Sequence, residues 1–266
     1  NPRAVVQIAH GLGEHARRYD DLAAYLNRNG FSVYADDHRG HGETGLLQVK
    51  EGKTKTLGNL GEGGMLGTFE AVHELTKLAK RENPGLPYIL IGHSWGSFIS
   101  QKLLNRYSRD YDLAVLTGTT LTMPGTMGAF GFNKKWNGPD ATGFEWLSRD
   151  PEVGKAFVAD PKTFYADAAK VMGVLNSLRL FGKPSADVRD DLPMLVMVGS
   201  GAAIALIYPG MKQELAPLED RGVLLATVTA PDGSTLEYTD RYAKALERMG
   251  EKSADNLIAA INQSRN

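Results

Sequence analysis

At 266 residues, the chain is long enough for one large domain, or for one domain that carries a sizeable insertion. Apolar residues make up 42% and charged residues 23%, which excludes disordered, fibrous and multi-span membrane proteins. The net charge of -1 predicts no nucleic-acid partner, and the lack of Cys excludes disulfide scaffolds, thiolate metal sites and a cysteine nucleophile. Because no apolar run could span a bilayer and no signal pattern is seen, we expect a cytoplasmic protein.

Short apolar runs rich in β-branched residues alternate with longer amphipathic segments, a pattern typical of a parallel sheet flanked by helices. The predicted strands are mostly continuous apolar runs, as expected for strands buried on both faces: Ala4–Ala9, Phe31–Ala35, Tyr88–Ile91, Leu113–Thr117, Met194–Val198 and Ile204–Tyr208. Helical spacing predicts helices at Tyr19–Asn29, Met65–Arg81 and Phe98–Tyr107. The fold class is therefore α/β.

The pattern changes between Leu121 and Asp190, where no strand is predicted and Gly, Pro and large apolar residues are frequent. Apolar residues recur at helical intervals from Phe164 to Leu178, which predicts one helix with an apolar face. We interpret residues 121–190 as a helical cap inserted into a core formed by residues 1–120 and 191–266. Such a cap either packs on the core or forms a lid over an apolar pocket.

A Gly-x-Ser-x-Gly motif, Gly92–Gly96, follows a predicted strand and opens a predicted helix. A sharp turn at this place needs Gly two residues before and two residues after Ser94. The backbone there is strained, and the strand and the helix pass close to each other. The turn would expose the Ser94 hydroxyl near a helix N-terminus, which favours developing negative charge. The motif therefore predicts a serine nucleophile.

A second glycine-containing turn, His10–His15, follows the first predicted strand. Its glycines leave backbone N–H groups free to point into a site, as an oxyanion hole requires. The same residues also fit the Gly-x-Gly-x-x-[Gly/Ala] pattern of a dinucleotide-binding turn, with Asp36 and Asp37 near the place of a ribose-binding acid. A dinucleotide-binding oxidoreductase is thus an alternative, although it leaves the Ser94 motif unexplained.

Three motifs, His10–His15, Asp37–Gly42 and Gly92–Ser97, stand in an order and spacing that resembles the monoacylglycerol lipase and lysophospholipase branch of the α/β-hydrolases, which is similar to S33 serine aminopeptidases. The resemblance implies an α/β-hydrolase fold with Ser94 as nucleophile and the backbone amides of Leu12 and Trp95 as oxyanion hole. It implies hydrolysis of esters of long-chain acyl groups, of the monoacylglycerol or lysophospholipid type, through an acyl-serine intermediate and without cofactor or metal. An apolar cap would also suit transient contact with a membrane surface.

The residues that should activate Ser94 are not found where the resemblance places them. A serine nucleophile of this fold is followed in the chain by an acid and then a His, yet all six His lie at or before position 93. Gln213 stands where the His is expected, and Ala202 stands near the expected acid. Reordered, omitted or misassigned residues in the last third would account for this. If the sequence is correct as written, the base and acid that activate Ser94 are missing. The alternative is then a catalytically impaired protein of this fold that binds acyl ligands.

The last third also raises a problem of geometry. The predicted strands Met194–Val198 and Ile204–Tyr208 are too close in the chain to be parallel neighbours, which need a crossover of a dozen or more residues. The segment Val223–Tyr238 predicts a hairpin of the kind that would precede the strand at Ala4. Glu251–Ser264 predicts an amphipathic helix.

Overall fold

The protein is described by a computed structural model that covers residues 1–120, 136, 138–148, 150–165, 171–198 and 223–227. Its centre is a six-stranded sheet in which every neighbouring pair is parallel, in the order β2-β1-β3-β4-β5-β6. The strands are β1 Ala4–Ala9, β2 Phe31–Ala35, β3 Tyr88–His93, β4 Leu113–Thr117, β5 Met194–Val198 and β6 Val223–Thr227. Five of the six predicted strands are therefore confirmed, with β3 two residues longer than predicted.

Helices connect the strands along the chain. They are α1 Asp20–Arg28, α2 Gly42–Lys50, α3 Gly64–Glu82, α4 Trp95–Tyr107, α5 Pro151–Ala159 and α6 Val174–Leu178. Short 3₁₀ turns cover Ala16–Tyr19, Ser108–Asp110 and Glu145–Leu147. The helix α4 begins three residues earlier than predicted, directly after Ser94, while α2 was not predicted. The helix α2 contains two Gly residues and has weak apolar spacing, so its sequence does not predict a helix.

The two faces of the sheet are covered by different helices, as the all-buried pattern of β1 requires. Val5 joins a cluster with Leu90 and with buried residues of α3 and α4, such as Val72 and Ile99. Ala4, Val6 and Ile8 of β1 point to the opposite face. There α1 and the neighbouring strands supply their partners: Leu26, Phe31, Val33 and Ile89. The sheet is therefore a layer between two layers of helices.

The strand order creates a switch point at the carboxyl end of the sheet, where open α/β sheets form a crevice between the loops that follow β1 and β3. The chain passes from β1 to β2 on one side, then crosses over β1 and continues through β3 and β4 on the other side. The loops that leave the carboxyl ends of β1 and β3 therefore diverge, and open α/β sheets bind ligands at such a switch point. The His10–His15 turn follows β1, and Ser94 follows β3, so both predicted motifs lie at this crevice.

The single helix predicted from Phe164 to Leu178 is wrong. Gly173 has φ 81° and ψ 155°, which is not helical, and α6 begins only after it. Leu175 and Leu178 are 78% and 54% exposed, so their helical spacing does not mark a buried face. The other described elements between residues 138 and 190 are α5 and one 3₁₀ turn, and this described part contains no strand.

Of the hairpin predicted at Val223–Tyr238, the structure describes only Val223–Thr227, which forms a strand; residues 228–238 lie outside the described residues. Val223–Thr227 lies parallel to β5, with Met194 opposite Val223, and does not pair with β1. Residues 199–222 separate β5 from β6, which is more than the dozen residues that a parallel crossover needs. The predicted strand Ile204–Tyr208 and the predicted helix Glu251–Ser264 lie outside the described residues.

Within the described ranges, every helix is too short or too polar to cross a lipid bilayer.

Candidate active site

Ser94 occupies a strained turn between β3 and α4. It has φ 51° and ψ -118°, and among the described residues it is the one non-glycine residue with positive φ. Its N–H donates to the Thr117 carbonyl of β4 at 2.9 Å, and its own carbonyl accepts from the Ser97 N–H at 2.9 Å. Such strain costs about 1–3 kcal/mol and persists only where the surroundings enforce it, which is typical of functional sites.

The two glycines of the motif are required by close backbone contacts. A Cβ on Gly96 would lie 2.0 Å from the carbonyl oxygen of Ala9, at the end of β1. A Cβ on Gly92 would lie 2.4 Å from Ser100 Oγ and 2.7 Å from the Gly96 carbonyl oxygen. The helix α4 can therefore start against the sheet only where these positions carry no side chain, which confirms the predicted reason for the motif.

The turn after β1 lies directly beside Ser94. A Cβ on Gly11 would be 3.4 Å from Ser94 Cβ. The Gly11 N–H donates to Glu14 Oε1 at 2.6 Å, and the Tyr19 hydroxyl donates to the same oxygen at 2.7 Å. Burial and the Glu14 carboxylate raise the pKa of Tyr19, so its hydroxyl stays protonated and remains a donor. Glu14 thus holds the turn in shape from within.

The backbone N–H groups of Leu12 and Trp95 donate to no other residue in the part of the chain that the structure describes. Leu12 lies in the middle of the turn after β1. Trp95 is the first residue of α4, where a helix leaves its N–H groups without intrahelical acceptors. Two amides, one on the residue after Ser94 and one on the residue after Gly11, therefore remain without an acceptor in the described part of the chain.

The same turn is poorly suited to a dinucleotide. The Gly11 N–H, which would face a pyrophosphate in that alternative, already donates to a carboxylate. A pyrophosphate there would meet the negative charge of Glu14. Asp37, near the place of the ribose-binding acid, accepts from the Ala16 and Glu43 N–H groups at 2.8 and 2.7 Å. These contacts favour the hydrolase interpretation over the dinucleotide alternative.

Three histidines form a buried cluster behind the site. The His10 and His38 rings stack at 4.0 Å between centroids, and His41 stacks on Trp95 at 4.8 Å. His10 Nε2 accepts from the His38 N–H at 3.0 Å, so His10 carries its proton on Nδ1 and donates to the Gly11 carbonyl at 2.7 Å. Burial, the largest cause, together with the neighbouring histidines lowers the pKa of His10 well below its ordinary value. His10 is therefore a neutral structural group that supports the turn.

We expect the stability of the fold to fall as the pH drops below about 6.5, because burial lowers the pKa of His41 to about 3. The unfolded chain takes up a proton at His41 near pH 6.5, while the folded protein does not until near its own pKa. The His41 contribution is therefore absent above pH 6.5 and reaches about 2 kcal/mol of destabilisation at pH 5. Chemical unfolding at pH 5–7 should show a flatter pH dependence in His41→Gln than in the wild-type protein; equal slopes would contradict this assignment.

None of the described histidines is bonded to Ser94 Oγ, which forms no hydrogen bond to a described side chain. His15 pairs with Asp160, His38 with Asp36 and His73 with Asp110, at 2.7–2.8 Å. His93, the last residue of β3, lies against Gly118 instead. Gln213 stands where the resemblance places the base, and Ala202 stands near where it places the acid. Both lie outside the described residues.

Two residues of the site neighbourhood were missed by the sequence analysis. Glu14 had a local signal, since a carboxylate three residues after a turn amide can accept from it, as in a capping box. Asp160 had none, because it meets His15 across 145 positions of sequence. In the described ranges, no group of three or more His, Asp or Glu side chains is arranged to hold a metal ion.

Comparisons with known proteins agree with this geometry. A family model described as serine aminopeptidase, S33, matches residues 1–205. A monoacylglycerol lipase of Mycolicibacterium smegmatis is 30% identical over 262 residues, which cover 95% of this chain and 85% of that protein. A monoglyceride lipase of Rattus norvegicus is 34% identical over 103 residues, covering 37% of this chain and 29% of that protein.

Solved structures show the same fold at low identity. A thermostable carboxyl esterase from Bacillus coagulans matches with a TM-score of 0.67 and 23% identity, over 99% of this chain and 90% of that one. A monoacylglycerol lipase from Paleococcus ferrophilus matches with a TM-score of 0.61 and 20% identity, over 97% of this chain and 96% of that one. With its parallel sheet, its flanking helices and a family match over well more than half of its length, the protein is an α/β-hydrolase of the S33 serine aminopeptidase family.

Proposed function

We propose that this protein hydrolyses carboxylic esters of acyl lipids, of the monoacylglycerol or lysophospholipid type, through an acyl-enzyme on Ser94. The observation that carries the proposal is the strained Ser94 turn, enforced by Gly92 and Gly96 and set beside two free backbone amides. The monoacylglycerol lipase of Mycolicibacterium smegmatis, similar over nearly the whole chain, supports the substrate class.

The proposed chemistry follows from the position of these groups. Ser94 Oγ attacks the ester carbonyl carbon, and the Leu12 and Trp95 N–H groups donate to the oxyanion that forms. The carbon–oxygen bond to the alcohol breaks, the serine proton passes to the leaving alcohol, and water then hydrolyses the acyl-serine. These steps, as proposed, use neither a cofactor nor a metal ion.

Transfer of the serine proton needs a base, and this requirement supports a second candidate function. No His follows position 93, and none of the described His side chains bonds to Ser94 Oγ: His10, His15, His38, His41 and His73 bond to other groups. Loss of the base from such a unit costs on the order of 10⁶ in kcat, while binding and oxyanion amides retain roughly 10³–10⁴ over water. The second candidate is therefore an acyl-binding member of the family that reacts slowly at Ser94.

We further propose that residues 121–190 form a cap over the crevice, on a core of residues 1–120 and 191–266. The insertion leaves the core between β4 and β5 and carries aromatic residues, among them Phe144 and Phe157, whose rings are 4.6 Å apart. Val174, Leu175 and Leu178 of α6 are each more than half exposed, which supports transient contact of the cap with a lipid surface.

One experiment separates the two candidates. The protein is incubated with a fluorophosphonate probe for intact-mass measurement, and in parallel with monooleoylglycerol, lysophosphatidylcholine and an aminoacyl anilide. We expect one adduct, turnover of an ester and no turnover of the anilide, because the similar proteins are named lipases. The absence of both adduct and ester turnover supports the acyl-binding candidate, because Ser94 then has no base to activate it. An adduct without ester turnover, or turnover of the anilide alone, contradicts the ester substrate class.

A further inference from the structure

A short segment after α5, Asp160–Phe164, is attached to the turn that follows β1. The Phe164 N–H donates to the Gly13 carbonyl at 3.0 Å. His15 Nε2 and Asp160 Oδ2 are 2.8 Å apart, and Lys162 Nζ lies 2.5 Å from Glu43 Oε1 at the start of α2. The contacts of Phe164 with Gly13 and of Asp160 with His15 join this segment to the residues on both sides of Glu14. The segment lies about 145 residues further along the chain.

Hydrogen bonds within the segment hold its shape. The Lys162 N–H donates to Asp160 Oδ1 at 2.9 Å, and the Thr163 N–H donates to the Asp160 carbonyl at 3.1 Å. Asp160 thus closes a tight turn with one carboxylate oxygen and the backbone, while its other oxygen accepts from His15. Displacing the segment would therefore pull on both Gly13 and His15.

His15 depends on this one side-chain contact. Its side chain is only 6% exposed, against 28% for Asp160. Its Nδ1 is buried and has no hydrogen-bond partner in the described part of the chain. Removing the Asp160 carboxylate would leave a buried imidazole with neither nitrogen paired, which favours movement of the ring toward water.

We propose that Asp160 is a positioning residue that acts through His15 on the turn carrying the Leu12 amide, so that the seating of the cap sets the geometry of the oxyanion hole. Glu14 holds that turn from within, and the segment Asp160–Phe164 holds it from the cap side. A hydrogen-bond donor aimed at an oxyanion is effective only within a few tenths of an ångström of its place. The expected effect on kcat rests on the proposed function. The expected effect on the position of the turn rests on the contacts alone.

The test compares Asp160→Ala, Asp160→Asn and the wild-type protein, with Glu152→Gln as control. Glu152 lies on α5 and, among the described side chains, pairs with exposed Lys155, so its change removes one ion pair of the insertion away from the turn. We expect kcat on a short-chain ester to fall about tenfold or more in Asp160→Ala with KM nearly unchanged, since a full oxyanion donor contributes about 10²–10³. Asp160→Asn, which can still accept from His15, should retain most of the activity.

Hydrogen exchange provides the readout that is independent of activity. Amides of residues 11–16 should exchange about tenfold faster in Asp160→Ala than in the control, with the sheet unchanged. Unchanged exchange overturns the proposal, and so does a rise in KM with constant kcat, which would mean that the cap affects substrate binding only. If the wild-type protein turns over no ester, the proposed function fails, while the exchange comparison still decides whether Asp160 positions the turn.

Discussion

Ser94→Ala is expected to reduce ester hydrolysis by about 10⁴-fold or more and to abolish labelling by a fluorophosphonate probe, because Ala has no hydroxyl to accept the acyl or phosphonyl group. The fold should be retained, because the smaller Ala fits at this position. The bonds from the Ser94 N–H to the Thr117 carbonyl and from the Ser97 N–H to the Ser94 carbonyl do not involve the hydroxyl. Activity is measured with monooleoylglycerol, and labelling is measured by intact mass.

The matched control for this change is Ser185→Ala. Ser185 lies on a surface loop after α6, where its hydroxyl donates to Asp187, and it should leave hydrolysis and labelling unchanged. If Ser94→Ala retains the wild-type rate, Ser94 is not the nucleophile and the acyl-enzyme proposal is lost. If probe labelling persists in the variant, another nucleophile carries the reaction.

Gly96→Ala is expected to destabilise the protein by about 3 kcal/mol or more, because the new Cβ would lie 2.0 Å from the Ala9 carbonyl oxygen. The clash is with backbone of β1, so no side-chain rotation relieves it. For a domain of this size the midpoint of thermal unfolding should fall by about 6–12 °C. Labelling of Ser94 should fall as well, since the displaced backbone belongs to both loops of the site.

Gly138→Ala is the control for this prediction. An added Cβ at Gly138 meets nothing within 4 Å, and its φ is not positive, so the change should stay within about 0.5 kcal/mol. Calorimetry on both variants measures the difference. Equal melting temperatures for Gly96→Ala and Gly138→Ala would show that the close approach of α4 to β1 is not required.

The strands and the serine turn could be predicted because their causes are local. The strands from β1 to β5 are mostly apolar runs, and burial on both faces of a parallel sheet favours such runs. The Gly92–Gly96 motif could be interpreted because only residues without a side chain permit the approach of α4 to β1. The helix α2 was missed, since its stability comes from contacts such as the Glu43 N–H to Asp37 and not from its own sequence.

By itself, the sequence determined the α/β class, the strand positions up to Val198, the serine turn and the neighbouring glycine turn, because periodicity and glycine placement act over a few residues. Only the tertiary structure decided that Val223–Thr227 pairs parallel with β5, that Gly173 interrupts the helix predicted in the insertion, and that Asp160 reaches His15. Those outcomes depend on which distant segments come together, and such contacts leave no regular pattern in the sequence.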